Sequence, residues 1–199
     1  MVIHGLHESA AQDAPRTAGG RRRVGLRLKF RPLIGWSALG LTSLAILGSP
    51  AWAQVGPGDR FPSLALTEAT GPLPATAGQV AVIDFWASWC APCKASFPVY
   101  AGVARDFSNR GVTLVAVSVD EDPAAYAAFV AKFHPPFPTL RDRGHKLVEA
   151  VEVPTMPTCF LVDRRGRVRF VHSGFHGAAT ERALRSELAT LLAEPDPRP

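Results

Sequence analysis

Val80-Ala81-Val82-Ile83-Asp84-Phe85-Trp86-Ala87-Ser88-Trp89-Cys90-Ala91-Pro92-Cys93-Lys94 decides how this chain folds. The first eight residues are apolar on both faces apart from Asp84, which is the pattern of a central strand covered by helices on each side. Two thiols three residues apart follow, and the residues after Cys93 read as a helix. A strand that ends in C-x-x-C and turns into a helix is a signature of dithiol–disulfide chemistry.

The two thiols are not equivalent. Cys90 falls at the first turn of the helix, where unpaired backbone N–H groups and the positive end of the dipole favour an anion. The thiolate is the reactive form, so Cys90 is expected to attack. Cys93 lies one turn on, within reach and more buried, and is expected to resolve. Pro92 suits the first helical turn, where a missing N–H costs little. A structural zinc site needs four ligands, and the third cysteine, Cys159, sits alone in a predicted strand. A purely structural disulfide across so small a loop would contribute little. Neither metal nor cofactor is expected.

Asp84 is the second informative residue. A lone carboxyl in an apolar strand is costly to ionise, and its pKa should rise. Beneath the dithiol it can take or give the proton that Cys93 loses or gains; the alternative is a strand residue bonded to a nearby hydroxyl or water. Met156-Pro157 enters a later strand and reads, from the residues alone, as a turn proline.

Outward from this centre the order is regular. Residues 61–67 read as a short edge strand, because Pro62 bars a central one. A helix is predicted over 90–109, interrupted near Pro98, then a strand over 112–119 and a helix over 124–133 entered through Pro123. Residues 134–138, with three prolines, form a loop. A short helix covers 142–151. A strand over 159–163, a turn at Arg164-Arg165-Gly166 and an alternating arm over 167–172 make a hairpin. An amphipathic helix over 178–192 closes the domain, and the acidic tail after it is expected to fray. The architecture predicted is α/β, a mixed sheet between helices.

Charge divides the 199-residue chain in two. Residues 1–53 hold seven Lys/Arg and two Asp/Glu, whereas 54–199 hold fifteen of each. The formal excess of +5 therefore belongs entirely to the leader, and nucleic acid is excluded as a partner of the domain. The leader has a basic stretch over 21–31, an apolar stretch over 33–47 and a small-x-small pattern at Ala51-Trp52-Ala53. This is the layout of a cleaved export signal; an uncleaved membrane anchor is the alternative. Export places a domain over 54–199 in the periplasm, where disulfides persist.

The run Asp84-Phe85-Trp86-Ala87-x-Trp89-Cys90-x-Pro92-Cys93-Lys94, with Pro157-Thr158-x-Phe160-Leu161-Val162-Asp163 and then Gly166 and Gly174, resembles the thioredoxin superfamily over about 58–193. Phe97-Pro98 and the extra segment over 123–151 make it most similar to the exported TlpA/ResA/DsbE type. The resemblance implies a thioredoxin-like domain with an N-terminal extension and a central βα-type insertion. It implies that Pro157 is cis and faces the dithiol, with Trp89 and Met156 lining a substrate groove. It also implies a disulfide reductase outside the cytoplasm. Its substrates would be disulfide-bearing proteins such as apocytochrome c or copper-handling proteins, and a membrane thiol carrier would recharge it. The chain departs from the type at Ser96, where many relatives carry Glu, and it has no lysine over 112–119 to pair with Asp84. Cys159 reads as a small core thiol. Two competing readings stay open: an oxidase that donates its disulfide, and a copper-binding module using Cys90 and Cys93 as soft ligands.

Overall fold

The computed structural model describes residues 54–196. The leader predicted over 1–53 lies outside them. Five strands form one sheet in the order β3-β2-β1-β4-β5: β1 Val80–Trp86, β2 Val112–Ser118, β3 Thr139–Arg141, β4 Thr158–Val162 and β5 Val168–Ser173. β1, β2 and β3 run parallel, β4 is antiparallel to β1, and β5 is antiparallel to β4. The helices are α1 Ala91–Phe107, α2 Pro123–Phe133, α3 Lys146–Val151 and α4 Ala178–Ala193. This is the mixed α/β thioredoxin-like arrangement predicted, with the insertion carrying α2, β3 and α3.

β1 sits at the centre, and all seven of its residues are buried. Its alternate side chains go to opposite faces. Val80, Val82 and Trp86 pack with α1, α2 and α4, while Ala81, Ile83 and Phe85 pack with α3 and the segment near Leu64. The first core is aromatic at the dithiol end. Trp86 lies with its ring centroid 4.3 Å from Phe129 and 4.9 Å from Phe97. Truncating Phe97 to Ala would cost about 3–5 kcal/mol, from lost transfer energy and the cavity left behind.

Several boundaries differ from the predicted ones, each for a local reason. Residues 61–67 are not a strand. Ser63 caps a short 3₁₀ turn, Leu64–Thr67, by accepting from Ala65 N–H at 3.2 Å, and the Thr67 hydroxyl closes it onto the Leu64 carbonyl at 2.8 Å. α1 is not interrupted at Pro98. The proline removes the bond to the Lys94 carbonyl, yet packing of Phe97, Tyr100 and Val103 carries the helix through. β3 has too few residues to show a period, and the helix after it begins only at Lys146.

The β4–β5 turn forms as predicted. Gly166 takes φ +76°, and Asp163 Oδ1 accepts from the N–H groups of Arg165 at 2.9 Å and Arg167 at 3.0 Å. Its arginines are not simply solvated. Arg164 donates to the carbonyls of Leu191 and Glu194 at the end of α4, at 3.1 and 3.0 Å. Arg169 pairs with Glu194 at 2.7 Å, which pins the start of the tail predicted to fray.

Candidate active site

The dithiol stands where β1 gives way to α1, and Cys90 and Cys93 are joined as a disulfide. Cys90 is the N-cap of α1. Its backbone is extended at φ −78° and ψ 109°, and its Sγ accepts from Cys93 N–H at 3.2 Å. The sulfur thus occupies the place a serine or aspartate oxygen would take at a helix start, against donors the helix cannot otherwise satisfy. Negative charge developing on Cys90 on reduction meets an N–H donor and the positive dipole end. Cys90 is 5% exposed and Cys93 0%. Only Cys90 offers an edge to an incoming disulfide.

That edge opens onto a groove of about 500 Å³ between residues 89–92 and 153–156. Trp89 is 69% exposed, a rare state for so large an apolar side chain, and forms one wall. Met156 lies on the other, and the Met156-Pro157 bond is cis. Trp89, Cys90 and Met156 are therefore brought together as the resemblance implied. Pro157 follows at the entry to β4, where its carbonyl accepts from Gly174 N–H at 2.7 Å.

Asp84 lies behind the pair, on the sheet face turned toward α1. It is fully buried, and among the described residues neither carboxyl oxygen has a hydrogen-bond partner of normal geometry. Loss of water drives its pKa well above the usual carboxylate range. The nearby Tyr100 hydroxyl opposes that rise without making a hydrogen bond of normal geometry. Its neighbours across the sheet are Ala116 of β2 and Cys159 of β4. Residues directly opposite on antiparallel strands share a face, so Cys159 stands beside the carboxyl. Burial pushes the Cys159 thiol well up, and the charges of Asp84 and Glu187 add to this. Cys159 thus keeps its proton, consistent with a small core thiol.

Tyr100 is a member of this group that the sequence reading missed. It is 1% exposed, and burial, then Asp84 and Cys159, hold its phenol well above its usual range. The signal was present in the helix spacing, since Cys93, Ser96 and Tyr100 fall on one face of α1 at intervals of three and four. Ser96 completes that face by donating to the Cys93 carbonyl at 2.9 Å. The arrangement can perform one kind of chemistry well. It presents one sulfur, hides a second one turn on, and keeps a proton-holding acid in the core behind them.

Among the described residues, no cluster of three or more His, Cys, Asp or Glu is placed to hold a metal ion. Residues 56–188 match the Redoxin family. The thiol-disulfide oxidoreductase ResA of Bacillus subtilis (strain 168) is 32% identical over 124 residues, which are 61% of this chain and 69% of that protein. ResA of Geobacillus thermodenitrificans (strain NG80-2) is 30% identical over 156 residues, 73% of this chain and 90% of that one. A Chlorobium tepidum structure named as a thiol:disulfide interchange protein DsbE superposes with a TM-score of 0.63 at 30% identity, over 70% of this chain and 100% of the other.

Proposed function

The chain belongs to the Redoxin family and is a thiol-disulfide oxidoreductase of the ResA/DsbE type; from that premise we propose that it works outside the cytoplasm, mainly as a reductase of protein disulfides. Cys90 attacks, Cys93 resolves, and Asp84 handles the proton. The observation that carries this reading is the asymmetry of the pair, with Cys90 capping α1 at the groove and Cys93 sealed one turn behind it.

The steps follow from that geometry. The Cys90 thiolate attacks one sulfur of a substrate disulfide, and the other substrate sulfur leaves as a thiolate that picks up a proton. Substrate and protein are then joined through Cys90, with the substrate chain lying along Met156 and Trp89. Cys93 gives its proton to Asp84 and attacks the Cys90 sulfur, and the second substrate sulfur leaves. Two electrons have passed to the substrate, and the Cys90–Cys93 disulfide is what remains. A carboxyl held well above its usual range accepts a proton more readily than an ordinary one. When the pair is recharged, the same carboxyl returns the proton to Cys93.

The basic and apolar leader over 1–53 supports export, and one similar structure is of a secreted Mycobacterium tuberculosis disulfide oxidoreductase (28% identity, TM-score 0.51). Among the described residues no helix is long and apolar enough to cross a membrane. The partners proposed are apocytochrome c or copper-handling proteins as substrates and a membrane thiol carrier as donor. Trapping with Cys93→Ser tests the reading. It should stall a mixed disulfide on Cys90, and mass spectrometry of the captured protein names the substrate. Capture on Cys93 in a Cys90→Ser protein instead would overturn the assignment. Direction is tested by equilibrating the pair with glutathione. A potential near about −270 mV fits a reductase, and one near about −120 mV would make it an oxidase.

A further inference from the structure

A second buried carboxylate lies close to the dithiol and takes no part in the steps above. Asp120 follows β2 and is 2% exposed. Ser88 N–H donates to both of its oxygens at 3.0 Å, and the Ser88 hydroxyl donates to Oδ1 at 2.7 Å. The Ser118 hydroxyl reaches Oδ2 at 2.7 Å. Asp120 N–H donates to Ser118 Oγ at 3.0 Å, so the Ser118 proton is free to point at the carboxylate. Among the described residues, each side-chain or backbone group hydrogen-bonded to its oxygens donates to them.

Ser88 is not an arbitrary partner. It lies inside the turn that Cys90 N–H closes onto the Ala87 carbonyl at 3.1 Å, immediately before Trp89. This turn presents both the groove wall and the attacking sulfur. Backbone bonds flank it on both sides: Val119 N–H donates to the Trp86 carbonyl at 2.9 Å before it, and Lys94 N–H to the Cys90 carbonyl at 3.3 Å after it. The far side of Asp120 is tied to the insertion. Arg141 donates to the Asp120 and Glu121 carbonyls at 3.3 and 3.1 Å, and the His145 ring lies 3.1 Å from the Val119 carbonyl.

We propose that Asp120 is a positioning residue for the nucleophile: by clamping Ser88 it fixes the turn that carries Trp89 and Cys90, and it fastens that turn to the insertion bearing β3 and α3. The assignment rests on the reading of Cys90 as the attacking sulfur. A charged acceptor bound by a backbone N–H and two hydroxyls holds a turn more firmly than neutral bonds do. In thiol–disulfide exchange the attacking sulfur must come into line with the disulfide, and a displacement of about 1 Å can cost about a hundredfold in rate.

The test uses the full-length reduced protein with two probes, a peptide carrying one intramolecular disulfide and the small disulfide 5,5′-dithiobis(2-nitrobenzoate). Asp120→Ala should slow attack on the peptide about tenfold or more per folded molecule. Attack on the small probe, which needs no docking beside Trp89, should slow less. Asp120→Asn keeps an oxygen for Ser88 N–H and should recover most of the rate. Ser88→Ala should slow the peptide reaction in the parent and have no further effect beside Asp120→Ala. A folded Asp120→Ala protein with parental rates on both probes would overturn the proposal. If Asp120→Ala fails to fold, Ser88→Ala decides it, and a parental peptide rate in that protein would overturn the proposal. Cys90→Ser run alongside separates the two readings. If it still attacks the peptide, the nucleophile assignment has failed, whatever Asp120 does.

Discussion

Asp84 lies on β1 and Asp120 just past the end of the neighbouring parallel strand β2, and they are buried almost equally, at 0% and 2% exposure. They are otherwise opposites. Among the described residues Asp84 has no hydrogen-bond partner of normal geometry for either oxygen, whereas Asp120 has donors on both. Burial alone therefore does not say what a carboxyl is for. An orphaned one is a place to hold a proton, and a saturated one is a place to anchor a backbone. In this site the first sits behind the hidden sulfur and the second beneath the turn that carries the exposed one.

The contrast is most exposed to test in the kinetics of resolution. Asp84→Asn cannot take the proton from Cys93, so release of substrate from the mixed disulfide should slow by about 10²-fold or more. Single-turnover release after rapid mixing measures it. A rate within a factor of a few of the parent would mean that Cys93 loses its proton elsewhere.

Stability should move in opposite directions at the two positions. Asp120→Ala leaves Ser88 N–H and two hydroxyls short of an acceptor and should cost about 3 kcal/mol. Asp84→Asn removes an unpartnered acid and should be neutral or stabilising at neutral pH. The sign follows from linkage. The folded protein holds the Asp84 proton above the pH at which the unfolded chain has lost it. Asp84 thus lowers stability as pH rises from the ordinary carboxylate range, by up to about 1.4 kcal/mol per pH unit, until its raised folded pKa is passed. Urea unfolding of Asp84→Asn and parent between pH 4 and 8, a range of about four units that starts near the ordinary carboxyl pKa, should show the gap widening upward. Equal losses at both positions would erase the distinction.

A finer test lies in Tyr100→Phe. Its hydroxyl is the group that opposes the rise at Asp84. Removing it should move the Asp84 pKa, and with it the pH profile of resolution, further up. The smallest effect expected is at the half-buried His172–Glu187 pair on the rim of that core. His172→Gln should cost no more than about 1 kcal/mol by thermal unfolding, without altering resolution.

How far the residues alone lead depends on the range of the interaction. β1, α1, β2, α2, β4, β5 and α4 are legible because each has either a local period or an unbroken apolar run, bounded by turn, capping or breaking residues. The turn over 64–67 and the strand at 139–141 are not. A serine cap can make 3₁₀ structure of a run that reads as strand, and three residues carry no alternation. Within the site, the two thiols and Asp84 stand out because their chemistry contradicts or punctuates the run around them. Tyr100 and Asp120 do not. A tyrosine on an apolar helix face and an aspartate after a strand are ordinary until the fold brings them within reach of Asp84 and Ser88.

The seal over Cys93 also governs traffic through the enzyme. Because only Cys90 can be touched from outside, whatever restores electrons to the pair must enter by the same groove as the substrate it served. Donor and acceptor then visit in turn and exclude one another. Initial rates should give parallel double-reciprocal lines, and a large excess of either reactant should throttle the cycle.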